Sequence, residues 1–179
     1  MSMEQLFDYQ IQQAIIEASG FDLLVMGRPE GAGCYCAANN IIRKYMDKLA
    51  DTYPFTVMDN EAGLEHLSRR TTQDTDLLLI ISDSSVRGIM TAGRIGELVD
   101  ELKLNVKRTV LIVNRIQEGT QGDPSLLQAI KQQNVEFAGF VPADDLIFEY
   151  DLNGKPLIRL PSDSKALSAF YGILDKLVS

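Results

Sequence analysis

Two thiols stand one residue apart, at Cys34 and Cys36, directly after the glycine-rich segment Gly27-Arg28-Pro29-Glu30-Gly31-Ala32-Gly33. Three glycines and a proline give a backbone that turns tightly and can approach another surface closely. Thiolates are soft ligands suited to zinc and, in a planar arrangement, to nickel. One chain's pair fills half of a four-coordinate shell. Two chains meeting on a two-fold axis would supply four sulfurs. Two small buried residues at a helix start are the plainer account of the same pair. A C-x-C after a glycine-rich loop favours metal over that account. Dithiol redox cycling is a third chemistry, although the short spacing would close a strained ring.

A second constellation is Met58-Asp59-Asn60-Glu61-Ala62-Gly63-Leu64-Glu65. An aspartate at the tip of a buried strand, followed by Ala-Gly, matches the way a nucleotidase places its Walker B carboxylate. That carboxylate holds magnesium near the phosphates, and the glycine lets the next loop move. Asp59 equally fits an ordinary helix N-cap. Asn114-Arg115, at another strand end, either presents an amide to an adenine edge or simply turns the chain. Gly139-Phe140-Val141-Pro142 ends the next strand and could line the same base pocket. His66, the only histidine, reads as a solvated helix residue.

The elements that must position these groups alternate along the chain. Residues 3–18 carry Leu6, Ile11, Ala14, Ile15 and Ala18 at helical spacing, ended by Gly20. Residues 21–26 form a continuous apolar run expected as a fully buried strand. Residues 40–49 read as a helix and residues 55–58 as a short strand ending in Asp59. Residues 77–81 are the most strand-like run, closed by Ser82-Asp83-Ser84. A helix over 86–102, a strand over 109–113 and a helix over 124–133 with proline at its start come next. A strand over 135–141, a short helix over 144–150 and a closing helix over 163–177 complete the series. Apolar strands separated by helices predict an α/β fold: a mostly parallel sheet with helices on both faces, as one domain over residues 1–179. Ligands of such sheets bind beyond the carboxyl ends of the strands, where the candidate residues fall.

Bulk composition narrows the partners. Acids outnumber bases 25 to 17, for a net charge of -8. A nucleic-acid surface needs concentrated Lys and Arg, so that class is set aside. The pairs Arg43-Lys44, Arg69-Arg70 and Lys107-Arg108 read as solvated helix ends or strand edges. No apolar run reaches the roughly 20 residues of a membrane helix. The first ten residues hold acids and no basic leader, so a reducing cytoplasmic location is expected.

With these residues in place, the segment from Gly27-Arg28-Pro29-Glu30-Gly31 through Cys34-Tyr35-Cys36 to Asn39-Asn40 resembles the C-x-C region of CooC-type accessory ATPases for carbon monoxide dehydrogenase. So does the run from Met58-Asp59 through Gly63-Leu64-Glu65-His66 to Thr71, and the similarity extends through 77–82, 111–115 and 141–160. These proteins group with MinD/ParA-like ATPases and are related to the nitrogenase iron protein. The resemblance implies that ATP binding joins two subunits into a homodimer. It implies that Cys34 and Cys36 hold nickel or zinc at the interface, and that hydrolysis supports nickel delivery to carbon monoxide dehydrogenase. It makes Asp59 the magnesium partner, Gly63 part of the second switch, and Asn114 and Pro142 neighbours of the adenine pocket.

One departure matters. The family opens with a strand feeding a G-x-x-x-x-G-K-[ST] loop whose amides and lysine cradle phosphate. No such pattern occurs in the 179 residues: Gly154-Lys155 is followed by proline, and no lysine follows Gly122. The sequence therefore reads as starting inside the helix before the C-x-C strand, without the P-loop strand. Mg-ATP would bind only if that segment is supplied. The alternatives are an ATPase completed by a separate P-loop chain and a non-catalytic module that docks an enzyme. A missing central strand would leave two open strand edges, and direct closure of residues 55–58 onto 77–81 is the expected repair.

Overall fold

The computed structural model describes residues 3–25, 52–60 and 74–178, divided between two compact units, Met1–Thr72 and Gln73–Ser179. The helix expected over residues 40–49 lies outside the described residues, as do Gly27 to Cys36, Gly63 and His66.

The second unit carries the parallel sheet. Its strands β3 (Asp74–Ser82), β4 (Asn105–Ile116) and β5 (Glu136–Pro142) lie side by side in that order. Both pairings are parallel, with Leu79 beside Val110 and Val113 beside Phe140. Helix α2 (Val86–Glu101) connects β3 to β4, and α3 (Pro124–Lys131) connects β4 to β5. Beyond β5 come α4 (Asp145–Leu152), a 3₁₀ turn at Leu157–Arg159 and α5 (Lys165–Val178). All seven elements expected here are present, with ends moved by a few residues.

Period-two alternation along β4 explains the layering. Leu111 and Val113 face a core with Ile80, Ile89, Ala92, Leu126 and Ile130. Ile112 faces the other way, against Val141, Ala166 and Ile173. Helices α2 and α3 thus cover one face and α5 the other. Val110 through Val113 are at most 1% exposed, so β4 is buried on both faces as a central parallel strand must be. Each such aliphatic side chain contributes about 1.5–3 kcal/mol on burial.

Caps set the helix limits. Ser85 accepts the Gly88 N–H at 2.9 Å, and Asp123 accepts those of Ser125 and Leu126 with Pro124 in the first turn, as N-cap residues do. Helix α2 ends with Leu104 N–H donating to Val99 and Lys103 N–H to Asp100. This is the Schellman pattern, and it accounts for the positive φ of Lys103, 51°.

The first unit departs from expectation in three places. The helix α1 (Met3–Ala14) stops four residues early, and β1 (Ile15–Ala18) follows it directly. Strand β1 pairs antiparallel with β2 (Phe21–Leu24), Ala18 opposite Phe21. The β-branched pair Ile15-Ile16 suits a strand. Gly20, at φ 92°, takes the positive φ that glycine accepts at least cost, in the two-residue turn between Ala18 and Phe21. Gly20 therefore turns a hairpin where a helix stop was expected. Of the run expected as a buried strand over 21–26, the described residues 21–25 are mostly at the surface, with β2 as a hairpin arm: Phe21 is 53% exposed and Val25 65%. Tyr53 donates its hydroxyl to the Asp22 carboxylate beside it.

Residues 55–58 form no strand. Pro54 removes a donor just before them, and a four-residue segment holds few ladder bonds unless a partner strand is supplied. Phe55 and Val57 are 71% and 90% exposed. The strand that the expected closure onto 77–81 requires is therefore not present at 55–58, and among the described residues β3 has β4 as its sheet neighbour.

Candidate functional site

The carboxyl ends of β3, β4 and β5 gather the polar residues of the second unit. At the first end, Asp83 accepts the Ser85 hydroxyl at 2.6 Å and the Ser85 N–H at 2.9 Å. The hydroxyl, then the N–H, holds the Asp83 carboxyl below its ordinary range. Ser85 in turn caps α2, so Asp83 orients the start of that helix. An open cleft of about 230 Å³ follows, lined by Ser84 and Val86 from the start of α2 and by Gln117, Thr120, Asp123 and Ser125 from the loop into α3.

At the second end, Asn114 is half-buried and Arg115 exposed. The Asn114 carboxamide oxygen accepts the Arg115 N–H at 2.8 Å. Pairing jumps here from Val113–Phe140 to Ile116–Pro142, so Asn114 and Arg115 together face one residue of β5. An opposite slip occurs earlier, where Leu111 pairs Phe137 but Ile112 pairs Gly139. Gly139 takes φ 156°, and a Cβ there would meet Ile173 at 2.9 Å. The two slips compensate, and Pro142 returns to the original register beside Ile116. The structure thus brings Asn114 and Pro142 to the same end of neighbouring strands. Ala143 N–H donates to the Ile116 carbonyl at 2.9 Å and fixes that junction.

At the third end, Asp144 accepts from the Leu146 N–H at 2.9 Å, the Ser164 hydroxyl at 2.7 Å and the Ala166 N–H at 3.1 Å. Ser164 is fully buried and accepts the Leu167 N–H at 3.2 Å. One carboxylate therefore ties the starts of α4 and α5 together, immediately after Pro142. The Ser164 hydroxyl first, then the Ala166 N–H, holds the Asp144 carboxyl below its ordinary range. A depressed folded-state pKa gives stability that is present above the unfolded value of about 4 and is lost as pH falls through the folded one. Asp144→Asn is expected to cost about 1–3 kcal/mol at pH 7, because an NH2 replaces one of the two accepting oxygens and leaves either Leu146 or Ser164 and Ala166 without an acceptor. The gap to the parent should narrow only below about pH 4. Urea unfolding at pH 7 and pH 3 checks this, and a gap independent of pH would contradict it.

Asp59 lies at the surface in irregular chain, so the expected tip of a buried strand is not its setting. Cys34, Cys36 and Gly63 lie outside the described residues. Among the described residues no group of three His, Cys, Asp or Glu could hold a metal ion. None of their helices is long and apolar enough to cross a membrane. Lys107 and Arg108, read as a strand-edge pair, are engaged with Asp76 and Glu136, each at 2.6 Å. The Asp83–Ser85 and Asp144–Ser164 links were not singled out from sequence. The first has a local signal, an acidic residue two before a helix-capping serine. The second joins residues twenty apart and leaves no local pattern.

Comparison with known proteins adds a frame. No family model matches the chain. It is 41% identical over 170 residues, 95% of its length, to an uncharacterized ATP-binding protein of Methanocaldococcus jannaschii. It is 31% identical over 108 residues, 59% of its length, to the carbon monoxide dehydrogenase accessory protein CooC of Rhodospirillum rubrum. The chain spans 66% of the first relative and 40% of the second. Among solved structures, a ParA family ATPase of Chlorobium tepidum superposes with a TM-score of 0.70 at 17% identity, covering 99% of this chain and 73% of that one. The fold is that of the MinD/ParA-type P-loop NTPases.

Proposed function

We propose that this chain is the metal-handling portion of a MinD/ParA-type ATPase that inserts nickel into carbon monoxide dehydrogenase. The observation that carries the nucleotidase part is the 41% identity to an ATP-binding protein over 95% of the chain. The metal part is supported by Cys34-Tyr35-Cys36 and by the similarity to a carbon monoxide dehydrogenase accessory protein. In this reading two chains meet at their C-x-C segments, and four thiolates hold nickel or zinc between them. Two thiolates per chain fit a soft ion and leave its shell half filled, which makes the dimer part of the site. Nickel is the cargo.

The nucleotide's base would lie over the carboxyl ends of the strands, near Asn114 and Pro142, and the magnesium role proposed for Asp59 rests on the resemblance of its segment to the accessory ATPases. Gly63 gives the following loop freedom to respond to the γ-phosphate. The phosphate-cradling loop is not encoded in these 179 residues. ATP turnover is accordingly assigned to the assembly that includes such a loop.

Nickel transfer tests the proposal. Nickel-loaded protein, with Mg-ATP and the phosphate-binding segment supplied, is expected to activate nickel-free carbon monoxide dehydrogenase faster than an equal concentration of free nickel. Equal rates in the two arms would defeat the assignment of the client.

A further inference from the structure

The hairpin of β1 and β2 has its register fixed by Ile16 opposite Leu23 and Ala18 opposite Phe21. Directly opposite residues share a face, and the next pair along points the other way. One face therefore carries Ile16, Ala18, Phe21 and Leu23, with Val25 next in the same alternation. The other carries Ile15, Glu17, Asp22 and Leu24. Ile15 and Leu24 are half-buried, whereas Ile16 is 58% exposed, Phe21 53%, Leu23 45% and Val25 65%. The hairpin thus turns its wholly apolar side to solvent and shelters part of the side that holds its acids.

At roughly 200 Å² for a large side chain, these exposures come to about 450 Å² of apolar surface, within the range of a monomer's largest and often functional patch. A two-stranded hairpin is marginal by itself and gains from having such a face covered. Charge decides among the occupants. With 25 acids against 17 bases, two copies repel over most of their surface. Here Glu17 and Asp22 stand on the opposite face, and Asp22 is engaged by the Tyr53 hydroxyl. A face without charge can meet its own copy across a two-fold axis. Two such faces would remove about 900 Å² from water, at the low end of protein interfaces and enough for a weak pair only. A further link between the chains would complete it. Cys34 stands nine residues after Val25, within about 30 Å along an extended chain. Paired hairpins therefore leave both thiol pairs within reach of one axis.

We infer that the face of Ile16, Phe21 and Leu23 docks a second copy of this chain, and that it forms the protein contact of the pair whose C-x-C segments share the metal. This rests on the metal-handling reading and adds to it the surface that brings two chains together. The contact is isologous, the same face serving on both chains. The apolar faces align the pair, and the shared ion holds it.

Dilution of the reduced, zinc-loaded chain, followed by light scattering, gives the dimer Kd and tests it. Phe21→Lys and Leu23→Lys are each expected to raise Kd at least about tenfold, because symmetry places each substitution twice in the interface. Glu17→Lys, on the opposite face, should stay within about threefold of the parent. All three keep both thiols and, being changes at exposed positions, should keep the parent's unfolding midpoint. A parent-like Kd in both Phe21→Lys and Leu23→Lys overturns the inference, and zinc uptake then judges the metal-handling reading by itself. A parent that binds no zinc yet pairs, and loses the pairing in Leu23→Lys, supports the docking face and sinks the metal-handling reading. Assemblies larger than two chains, cut back by Leu23→Lys, overturn the closed pair in favour of open-ended stacking. A zinc-loaded parent that stays monomeric overturns the inference. A lowered unfolding midpoint in the two lysine variants would then assign the cover to the chain itself, and uptake by phosphatidylcholine vesicles would assign it to a lipid surface.

Discussion

Replacing Cys34 and Cys36 together by serine is expected to take bound soft metal from one ion per two chains to none, and to abolish metal-dependent dimerisation. The stoichiometry follows from ligand count. A tetrahedral soft ion needs four donors, and each chain supplies two thiols at the C-x-C pair. Serine keeps the size of the side chain but replaces a polarisable thiolate by a hydroxyl that stays protonated near neutral pH. Closed thiolate-rich sites bind zinc with about 10–16 kcal/mol, so removing the donors should remove the whole signal rather than scale it. Metal content by mass spectrometry and chain mass by light scattering, under reducing conditions, give the two readouts. A parent chain that takes up neither zinc nor nickel sinks the assignment. Metal held by a monomer would overturn the shared geometry and keep the ligands.

The second unit was readable because its signals are local and agree with one another. Leu77 to Ile81, Thr109 to Val113 and Val135 to Val141 are apolar runs bounded by polar ends. The helices between them carry Ser85 and Asp123 at their starts. Each strand has a neighbour, so pattern and partner give the same answer. The first unit shows what happens when they do not. Ile15 and Ile16 fit a helix face and a hairpin arm equally, and Ser19-Gly20 serves as a helix stop or as a turn. Only the pairing of Ala18 with Phe21 decides. Phe55 to Met58 has the apolar content of a strand, but backbone donors and acceptors need a partner that composition does not reveal.

At the candidate site the sequence pointed to Asn114 and Pro142, and the sheet brings both to one end. It could not show that Asn114 spends its carboxamide oxygen on its own neighbour, because residue type says little about φ for anything but glycine and proline. Nor could it show that Asp144 is consumed by Ser164. That bond depends on where α5 begins relative to β5, a tertiary fact.

The 179-residue chain alone is expected to release phosphate from Mg-ATP no faster than buffer. The transferring phosphoryl group needs N–H donors and a lysine fixed against the β- and γ-phosphates. The sequence offers neither G-x-x-x-x-G-K-[ST] nor a substitute. Loss of one preorganised donor in an enzyme costs about 10²–10³ in rate, and here the whole cradle is wanting. Asp59, exposed in irregular chain, cannot by itself hold magnesium against a phosphate that nothing else grips. Supplying a P-loop segment in trans, or joined ahead of residue 1, should bring hydrolysis up by at least about a thousandfold. Asp59→Ala should then return the rate to the buffer level if its carboxylate holds the metal. Steady-state phosphate release with and without magnesium measures each case. Magnesium-dependent turnover by the chain alone, lost in Asp59→Ala, would mean that a phosphate site of another kind lies within these residues.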